Sequence, residues 1–281
     1  MGESVHDNGS HDPLRAATPT DAAAGEPTVR LENVSKRYGE KQAVDALSLN
    51  LHRGEVFAFL GPNGAGKTTT LKMTVGLLRS DTGHVVVCGH DMQREPRLAK
   101  QHVAYVPDQP FLYDKLTGRE FVNFTADMYE VPSALAASRL DGLVERLDMS
   151  QFLDQLTESY SHGMKQKIAL AAALVHAPDV LVVDEPIVGL DPRSIRVIKD
   201  IFREIARAGG TVFMSTHTLD VVEAVADRIG ILHRGRMVAL GTLEQLKSSA
   251  GSMNRLEDIF LSITGASGPH AQATIDTGGS A

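Results

Sequence analysis

Cysteine and tryptophan are nearly absent from the sequence: there is no tryptophan, and Cys88 is the single cysteine among 281 residues. One thiol cannot form an internal disulfide bond, and it cannot build a metal site from several cysteines. Secreted proteins often depend on such cross-links, whereas a reducing compartment does not favour them. The composition therefore predicts a cytoplasmic protein.

Long apolar runs and excess positive charge are also missing. The longest apolar run, at residues 168–175, is far shorter than the ~18 residues that a membrane-spanning helix needs. The chain has 35 acidic and 28 basic residues, which gives a net charge of -7. General nucleic-acid binders neutralise phosphates with a basic surface, so we expect no nucleic-acid partner.

The two ends of the chain differ in composition from its body. Residues 1–27 and 266–281 are rich in small, polar and proline residues, which predicts disordered tails. The first tail lacks the basic and apolar regions of a secretory signal. The remaining body is divided into a main domain at residues 28–246 and a C-terminal helical extension at 247–265.

In the main domain, apolar runs of strand length alternate with longer segments of helical period. This alternation predicts an α/β fold built on a largely parallel sheet. Residues 29–34 and 43–51 are predicted to form an antiparallel edge. Residues 55–60, 180–183 and 211–215 are predicted to be buried strands.

A helix is predicted between the last two buried strands. Asp191 is placed to cap its first turn, and Pro192 suits the first helical position. Its apolar face is predicted to contain Ile195, Ile198, Phe202 and Ile205, with Gly209 and Gly210 ending the helix.

The middle of the chain has a different character, because residues 115–160 are predicted to be helical throughout. Thr117 and Glu120 have the spacing of a capping box, which marks a helix start. We interpret this region as a helical insertion in the sheet domain, extending over residues 115–165.

The first motif with chemical meaning is G-x-x-x-x-G-K-[ST], which begins after the predicted strand at 55–60 and precedes a helical segment at 67–78. Glycines let backbone N–H groups approach phosphate oxygens, and the helix adds its positive end. Lys67 would reach the β- and γ-phosphates, while Thr68 would bind Mg²⁺. The alternative is a glycine turn with a chance lysine. The predicted nucleotide contacts are Gly61, Pro62, Asn63, Gly64, Ala65, Gly66, Lys67, Thr68 and Thr69.

A second motif supports the first. The apolar strand at 180–183 is followed by Asp184 and Glu185. A carboxylate delivered beside a phosphate loop can hold the Mg²⁺ shell, and the next one can orient or deprotonate the attacking water. The alternative is a strand capped by solvated acids.

With these motifs, residues 29–246 resemble the ATP-binding-cassette (ABC) ATPases. Tyr38 matches the family's adenine-stacking aromatic residue, although a tyrosine at a strand end is as often simple packing. His217 matches the switch histidine that contacts the γ-phosphate. Residues 189–192, Gly-Leu-Asp-Pro, are similar to the family's D-loop.

The signature motif separates ABC ATPases from other phosphate-loop enzymes, and its counterpart here is at residues 160–167. Ser161 and Gly163 agree with the common L-S-G-G-Q form. The resemblance implies that they contact the γ-phosphate held by an opposing subunit, through free N–H groups of the helix that begins at Ser161. Three positions depart from the common form: Tyr160, His162 and Met164.

Two departures leave alternatives open. His162 is either a phosphate donor or merely a larger spacer in the signature. Asp108 stands where the family's Q-loop usually has glutamine; it accepts hydrogen bonds from metal-bound water but does not donate one. Gln109 serves instead if the loop register differs.

The resemblance implies an ATPase subunit that uses ATP and Mg²⁺ to drive a transporter. The departures and the segment at 256–261 are similar to single-cassette exporters, although that segment could equally be an ordinary surface helix. The implied partners are a separate transmembrane permease and a second cassette, in a homodimer or a heterodimer. The implied location is the cytoplasmic face of the membrane, through the permease.

Two other functions are compatible with the cassette motifs. A soluble ABC ATPase acting on nucleic acid or ribosomes is disfavoured by the acidic charge and by the single cassette without long coiled coils. A catalytically inactive regulatory cassette is opposed by the presence of Lys67 and Glu185.

An apolar and aromatic cluster, at residues 110–113, follows the Q-loop. Connecting segments usually run over the surface, so this cluster predicts an exposed patch that suits a partner. The resemblance implies that a short permease helix docks there. The alternative is that Phe111 and Leu112 fold back between the sheet and the helices.

Overall fold

A computed structural model describes residues 25–249 and 255–265 of the chain. Residues 1–24 and 266–281 of the two predicted tails lie outside the described residues, as do residues 250–254 of the predicted extension. The strands, in chain order, are β1 Val29–Tyr38, β2 Lys41–Leu51, β3 Val56–Leu60, β4 Thr82–Val87, β5 His90–Asp91, β6 Val103–Val106, β7 Val180–Asp184, β8 Thr211–Thr216, β9 Arg228–His233 and β10 Arg236–Gly241. The helices are α1 Lys67–Thr74, α2 Pro96–Gln101, α3 Gly118–Met128, α4 Ser133–Leu147, α5 His162–Leu174, α6 Pro192–Arg207, α7 Leu219–Val225, α8 Leu243–Ser249 and α9 Leu256–Thr264.

The strands of the described chain form two sheets. The core sheet has the order β10-β9-β3-β8-β7-β6, and its strands are parallel except for β10, which pairs antiparallel with β9. The second sheet has the order β2-β1-β4-β5 and is antiparallel. The prediction of an α/β fold with a parallel sheet and an antiparallel edge is confirmed.

The centre of the core sheet is buried on both faces. Every residue of β3, β7 and β8 is buried, which explains why these strands have continuous apolar runs rather than alternating ones. One apolar cluster fills the space between the two sheets, and another lies between the core sheet and the helices. Because the strands are parallel, their carboxyl ends meet at one edge, where polar residues can converge.

The helix after the phosphate loop is shorter than predicted. The sequence pattern predicts a helix over residues 67–78, whereas α1 ends at Thr74. Gly76 has a left-handed backbone with a φ of 67°, and glycine in this conformation commonly ends a helix. The predicted helix therefore breaks just beyond the turns that position the phosphate loop.

The helical insertion contains α3, α4 and α5, but the prediction of helix throughout residues 115–160 is wrong. The capping box at Thr117 is present, because its side chain accepts a hydrogen bond from Glu120 and the Glu120 side chain accepts one from Thr117. Helix α4 ends where Asp148 adopts a left-handed φ of 54°. Turns and a short 3₁₀ helix, Thr157–Ser159, connect it to α5.

Helix α6 begins as predicted, with Asp191 accepting a hydrogen bond from the Ser194 backbone and Pro192 at the first position. The predicted apolar face is partly wrong, because Ile195 and Ile205 are only half-buried. The buried face is rotated about the helix axis, which still satisfies the helical period of about 3.6 residues. It contains Ser194, Ile198, Ile201, Phe202 and Ala206.

The C-terminal part of the described chain consists of α8 and α9. Helix α9 packs against α7 and α8, and its Leu256 and Ile259 side chains are buried. Among all helices of the described residues, none has the length and apolar character required to span a bilayer.

Candidate nucleotide-binding site

The glycine-rich loop connects the buried strand β3 to helix α1 and closely approaches neighbouring backbone. A Cβ atom at Gly66 would lie 2.4 Å from the Ala43 carbonyl oxygen, and Gly66 has a left-handed φ of 108°. A Cβ atom at Gly61 would lie 2.5 Å from the Leu232 carbonyl oxygen. The two glycines are therefore required by the fold of the loop, which turns its N–H groups and the start of α1 towards a single concave surface.

Lys67 lies at the first position of α1, and its side chain folds over the loop. Its ammonium group donates hydrogen bonds to the carbonyl oxygens of Gly61, at 2.5 Å, and Pro62, at 3.4 Å. Burial lowers the pKa of Lys67, while the charges of Glu185 and Asp184 act in the opposite direction. A partly desolvated cation held over a phosphate loop is a strong electrostatic partner for a polyphosphate.

Asp184 ends strand β7 and is almost completely buried, with 2% of its surface exposed. Its carboxylate accepts a hydrogen bond from the Ser215 hydroxyl on the adjacent strand β8. A charge in such a place is tolerated because it is hydrogen-bonded and lies near the Lys67 ammonium group. Asp184 is thereby fixed at the carboxyl edge of the sheet, beside the phosphate loop.

Glu185, the residue after Asp184, has an unusual backbone conformation. Its φ of 49° is left-handed, and its backbone N–H donates to the Ser215 carbonyl oxygen at 3.0 Å. One carboxylate oxygen lies 2.9 Å from Nδ1 of His217, whereas the other is buried and has no hydrogen-bond partner among the described residues. This arrangement presents a carboxylate oxygen with free acceptor capacity, as a water-activating base requires.

Lys67, Asp184 and Glu185 line one cleft with a volume of about 280 Å³. Two other predicted site residues, Gly61 and His217, do not line it. Tyr38 lies on its wall with 50% of its surface exposed, so its ring is available for stacking. The cleft also contains Lys41 and Ala43 of β2, which the sequence motifs did not indicate. The remaining lining residues are Pro62, Asn63, Gly64, Ala65, Gly66, Lys67, Thr68, Thr69, Asp108, Asp184 and Glu185.

The signature residues lie outside this cleft. Ser161 is the N-cap of α5, and its hydroxyl accepts a hydrogen bond from the Met164 backbone. His162 packs on the D-loop, because a Cβ atom at Gly189 would lie 2.8 Å from its ring. In the described part of the chain, neither Ser161 nor Gly163 lines the cleft of the phosphate loop.

The segment after β6 lies between the phosphate loop and the signature. Asp108 lines the nucleotide cleft and also a neighbouring pocket of about 470 Å³, which His162 and Lys165 share. Gln109 lines only the second pocket. Asp108 is therefore the residue of this pair that lines the cleft of the phosphate loop.

A phosphate loop next to a strand that ends in a buried aspartate is the arrangement of phosphate-loop nucleoside triphosphatases, and the protein is of this class. Comparison with known proteins gives the family. The family model described as "ABC transporter" matches residues 44–188, and the chain belongs to this family. It is an ATP-binding subunit of an ABC transporter and an ATPase.

Several known proteins are similar over most of the chain. Linearmycin resistance ATP-binding protein LnrL of Bacillus subtilis is 39% identical over 223 residues, which are 79% of this chain and 72% of LnrL. Daunorubicin/doxorubicin resistance ATP-binding protein DrrA of Streptomyces peucetius is 39% identical over 229 residues, or 81% of this chain and 69% of DrrA. A solved ATP-binding subunit of an ABC transporter superposes with a TM-score of 0.80 at 30% identity, covering 84% of this chain and 99% of that one.

Proposed function

We propose that the chain hydrolyses MgATP as one of two paired cassettes that power export through a separate membrane permease. The direction rests on two relatives, whose names attach them to resistance to linearmycin and to daunorubicin and doxorubicin. Expelling a toxic compound is a direct route to resistance. The observation that carries the pairing is the separation of Ser161 and Gly163 from the cleft that contains Lys67 and Glu185.

The donor atoms around the cleft fit Mg²⁺. Thr68 offers a hydroxyl oxygen, and Asp184 and Asp108 offer carboxylate oxygens; hard oxygen ligands are those that Mg²⁺ prefers. The ion would neutralise charge on the phosphates of ATP. Asp184 would hold its hydration shell while Glu185 orients or deprotonates the attacking water.

The N-terminus of α5 suits the phosphates of an ATP molecule bound to a second cassette. Its first N–H groups have no partner within the helix, and the helix dipole favours an anion there. A head-to-tail pair would bring this end over the phosphate loop of the other subunit. ATP would then be part of the interface, so its binding would close the pair and its hydrolysis would release it.

The pairing is tested with Glu185→Gln, which should retain MgATP long enough for a closed dimer to accumulate. Adding Ser161→Asp keeps a capping side chain but places a negative charge where the partner's triphosphate would dock. We expect size-exclusion chromatography with light scattering to find an ATP-dependent dimer for Glu185→Gln and a monomer for the double variant. The ATP affinity of the isolated monomer should be unchanged by Ser161→Asp.

The matched control is Ser133→Asp in the Glu185→Gln background, because it adds the same charge to the first turn of another helix, α4. We expect this variant to dimerise normally with ATP. A dimer that persists with Ser161→Asp, or that forms without ATP, contradicts the shared-site arrangement.

The surface that would contact the permease is an aromatic patch formed by Phe111, Tyr113 and Phe124. Their side chains are 82%, 49% and 42% exposed, and the Tyr113 ring lies edge-on to Phe111 and Phe124, with centroids 6.2 Å and 5.6 Å apart. Leu112 is buried and anchors the segment. The alternative that Phe111 folds back is wrong, whereas it holds for Leu112.

Tyr113→Asp tests this surface by placing a charge in the centre of the aromatic patch. Because Tyr113 does not line the nucleotide cleft, we expect folding and basal ATPase to be retained while the protein no longer sediments with membranes that contain its permease. Leu98→Asp on α2, where the side chain is 42% exposed, is the control and should remain bound. Unfolding, or full binding and transport by Tyr113→Asp, would contradict the assignment.

A further inference from the structure

A cluster of side chains of the types that can bind metals lies at the end of the core sheet opposite the nucleotide cleft. It contains Cys88, His102 and Asp179, all of them half-buried, and one ligand atom from each lies within 4.8 Å of the others. The residues come from three separate parts of the chain. Cys88 lies in the turn between β4 and β5, and His102 and Asp179 directly precede β6 and β7.

We propose that these three side chains bind a borderline divalent cation of the Zn²⁺ type. Thiolate, imidazole and carboxylate are all established zinc ligands, with bond lengths of about 2.0–2.3 Å. Thiolate and imidazole together favour zinc over magnesium, which prefers oxygen. The donor set is therefore chemically distinct from the oxygen ligands of the nucleotide cleft.

The backbone holds the three ligand segments together independently of any ion. The Val180 N–H donates to the His102 carbonyl oxygen at 2.9 Å, which places His102 beside Asp179. The Cys88 N–H donates to the Thr28 carbonyl oxygen at 2.8 Å. The Thr28 hydroxyl lies 2.7 Å from that of Thr211, whose N–H donates to the Asp179 carbonyl oxygen. A site on such a scaffold needs little ordering when the ion binds.

The distances require only small side-chain movements. Ligand atoms around a tetrahedral zinc ion lie about 3.3–3.8 Å apart, as follows from the bond lengths above. Nδ1 of His102 lies 2.7 Å from an Asp179 carboxylate oxygen, so this pair would open by less than an ångström. The Cys88 sulfur lies within 4.8 Å of the other two ligand atoms and would move closer to them.

The immediate neighbours leave room for this geometry. Arg53 lies 3.2 Å from the other Asp179 oxygen, so it can remain hydrogen-bonded to that oxygen while the carboxylate binds an ion. His90 stacks on His102 with ring centroids 5.8 Å apart and shields one side of the cluster. Water would complete the coordination, as in zinc sites with three protein ligands.

An ion here would tie the two sheets together. Cys88 belongs to the end of the antiparallel sheet, whereas His102 and Asp179 belong to the core sheet. Strand β7 separates Asp179 from Asp184 by roughly 17 Å, at about 3.3 Å per residue, so the ion would not reach bound nucleotide. We therefore expect metal binding to raise stability without changing the chemistry of ATP hydrolysis.

The single cysteine makes the test unusually specific. Full-length, tag-free protein is stripped with chelator and titrated with Co²⁺ in the absence of nucleotide, and the thiolate-to-cobalt charge-transfer band is followed in the near ultraviolet. Because Cys88 is the single cysteine in the sequence, any such band reports on this residue alone. We expect a band that saturates at one equivalent and is displaced by Zn²⁺ but not by Mg²⁺.

The variants separate a built site from a lone reactive thiol. Cys88→Ser should remove the band. His102→Gln and Asp179→Asn should weaken Co²⁺ binding by ~10-fold or more, because losing even a residue that only supports a metal ligand has an effect of this size. His84→Gln is the matched control, because His84 pairs with Asp91 at 3.1 Å elsewhere in the antiparallel sheet, and it should bind Co²⁺ normally.

Thermal unfolding provides a second measurement on the same proteins. Zn²⁺ should raise the melting temperature of the wild type and of His84→Gln but not of Cys88→Ser, whose basal ATPase should be unchanged. The absence of a cobalt band in the wild type would overturn the proposal, even if a variant failed to fold. A band of equal affinity in His102→Gln and Asp179→Asn would overturn it as well, since the thiol would then bind the ion alone.

Discussion

The phosphate loop and the signature differ in how strongly the surrounding structure restricts which residue types fit at each position. In the phosphate loop, the motif is complete, and Gly61 and Gly66 are required because a Cβ atom would meet neighbouring backbone. In the signature, Tyr160 and His162 depart from the common form while pointing into the subdomain and onto Gly189. Backbone geometry constrains the first region, whereas the second combines packing with the surface that we propose for a second cassette.

The packing of the Tyr160 side chain explains why tyrosine replaces the leucine of the common signature. Its side chain is 6% exposed, and its hydroxyl donates to the Phe152 carbonyl oxygen at 2.6 Å while accepting from the Gly118 N–H at 3.1 Å. The Tyr160 hydroxyl therefore connects the first turn of α3 to the segment between α4 and α5. The departure from leucine therefore serves the packing of the helical insertion.

The largest expected effect in this comparison comes from Lys67→Ala in the phosphate loop. The change removes the buried cation above the loop, and charged hydrogen bonds contribute about 1.5–3 kcal/mol each. We expect ATP to bind roughly 10- to 100-fold more weakly and hydrolysis to fall to background. Fluorescent-nucleotide titration and phosphate release measure the two effects.

The control for this change is Lys115→Ala. Lys115 pairs with Glu158 at 2.6 Å outside the cleft, so both measurements should be unaffected. Wild-type affinity and turnover in Lys67→Ala would mean that the loop is not the nucleotide site.

Glu185→Gln should separate binding from chemistry. The amide occupies the same space but does not accept a proton, and loss of a general base typically slows a reaction by 100-fold or more. We expect hydrolysis to slow by at least about 100-fold while MgATP affinity stays within a factor of a few. Rapid-quench measurement of a single turnover checks the chemical step, and an unchanged rate would exclude Glu185 as the base.

The phosphate loop and the central strands around it could largely be predicted from the sequence. Strands β3, β7 and β8 were predicted to within about one residue, because each is a continuous apolar run in a buried parallel sheet. The phosphate loop was predicted because its motif is local and its residue types are set by backbone geometry. All predicted loop residues except Gly61 line one cleft together with Asp184 and Glu185.

Five strands were not predicted: β4, β5, β6, β9 and β10. They are short or mix polar with apolar residues, and what makes them strands is pairing with distant partners. Strand β4 pairs with β1 and β6 with β7. Lys41 was missed for the same reason, because no local motif connects β2 to the cleft that it helps to line.

In the signature region, Tyr160→Phe should lower stability by about 1–3 kcal/mol. The change leaves the Gly118 N–H without its acceptor in a buried place, and an unsatisfied buried group has a penalty of about this size. Chemical denaturation measures the free energy of unfolding. Tyr38→Phe, at an exposed ring, is the control and should change it little; equal stability of Tyr160→Phe and wild type would contradict the bridging role.

The smallest expected effect concerns His176, which follows α5. Its ring stacks on Tyr129 at 3.7 Å between centroids, and burial, assisted by the Arg139 charge, lowers the pKa of His176 to about 4. In the unfolded chain the pKa of histidine is about 6.5. As pH falls between these values, the unfolded state binds a proton that the folded state does not, so stability decreases.

We therefore expect the free energy of unfolding to fall more between pH 7 and pH 4 in the wild type than in His176→Phe, which keeps a stacked ring but does not titrate. Near pH 8, where histidine is neutral in both states, this linkage disappears. Denaturation at several pH values measures the slope. Parallel slopes for wild type and His176→Phe would mean that the His176 ring accepts a proton as readily in the folded protein as in the unfolded chain. The chain just after α5 would then be less tightly packed than the stacking geometry indicates.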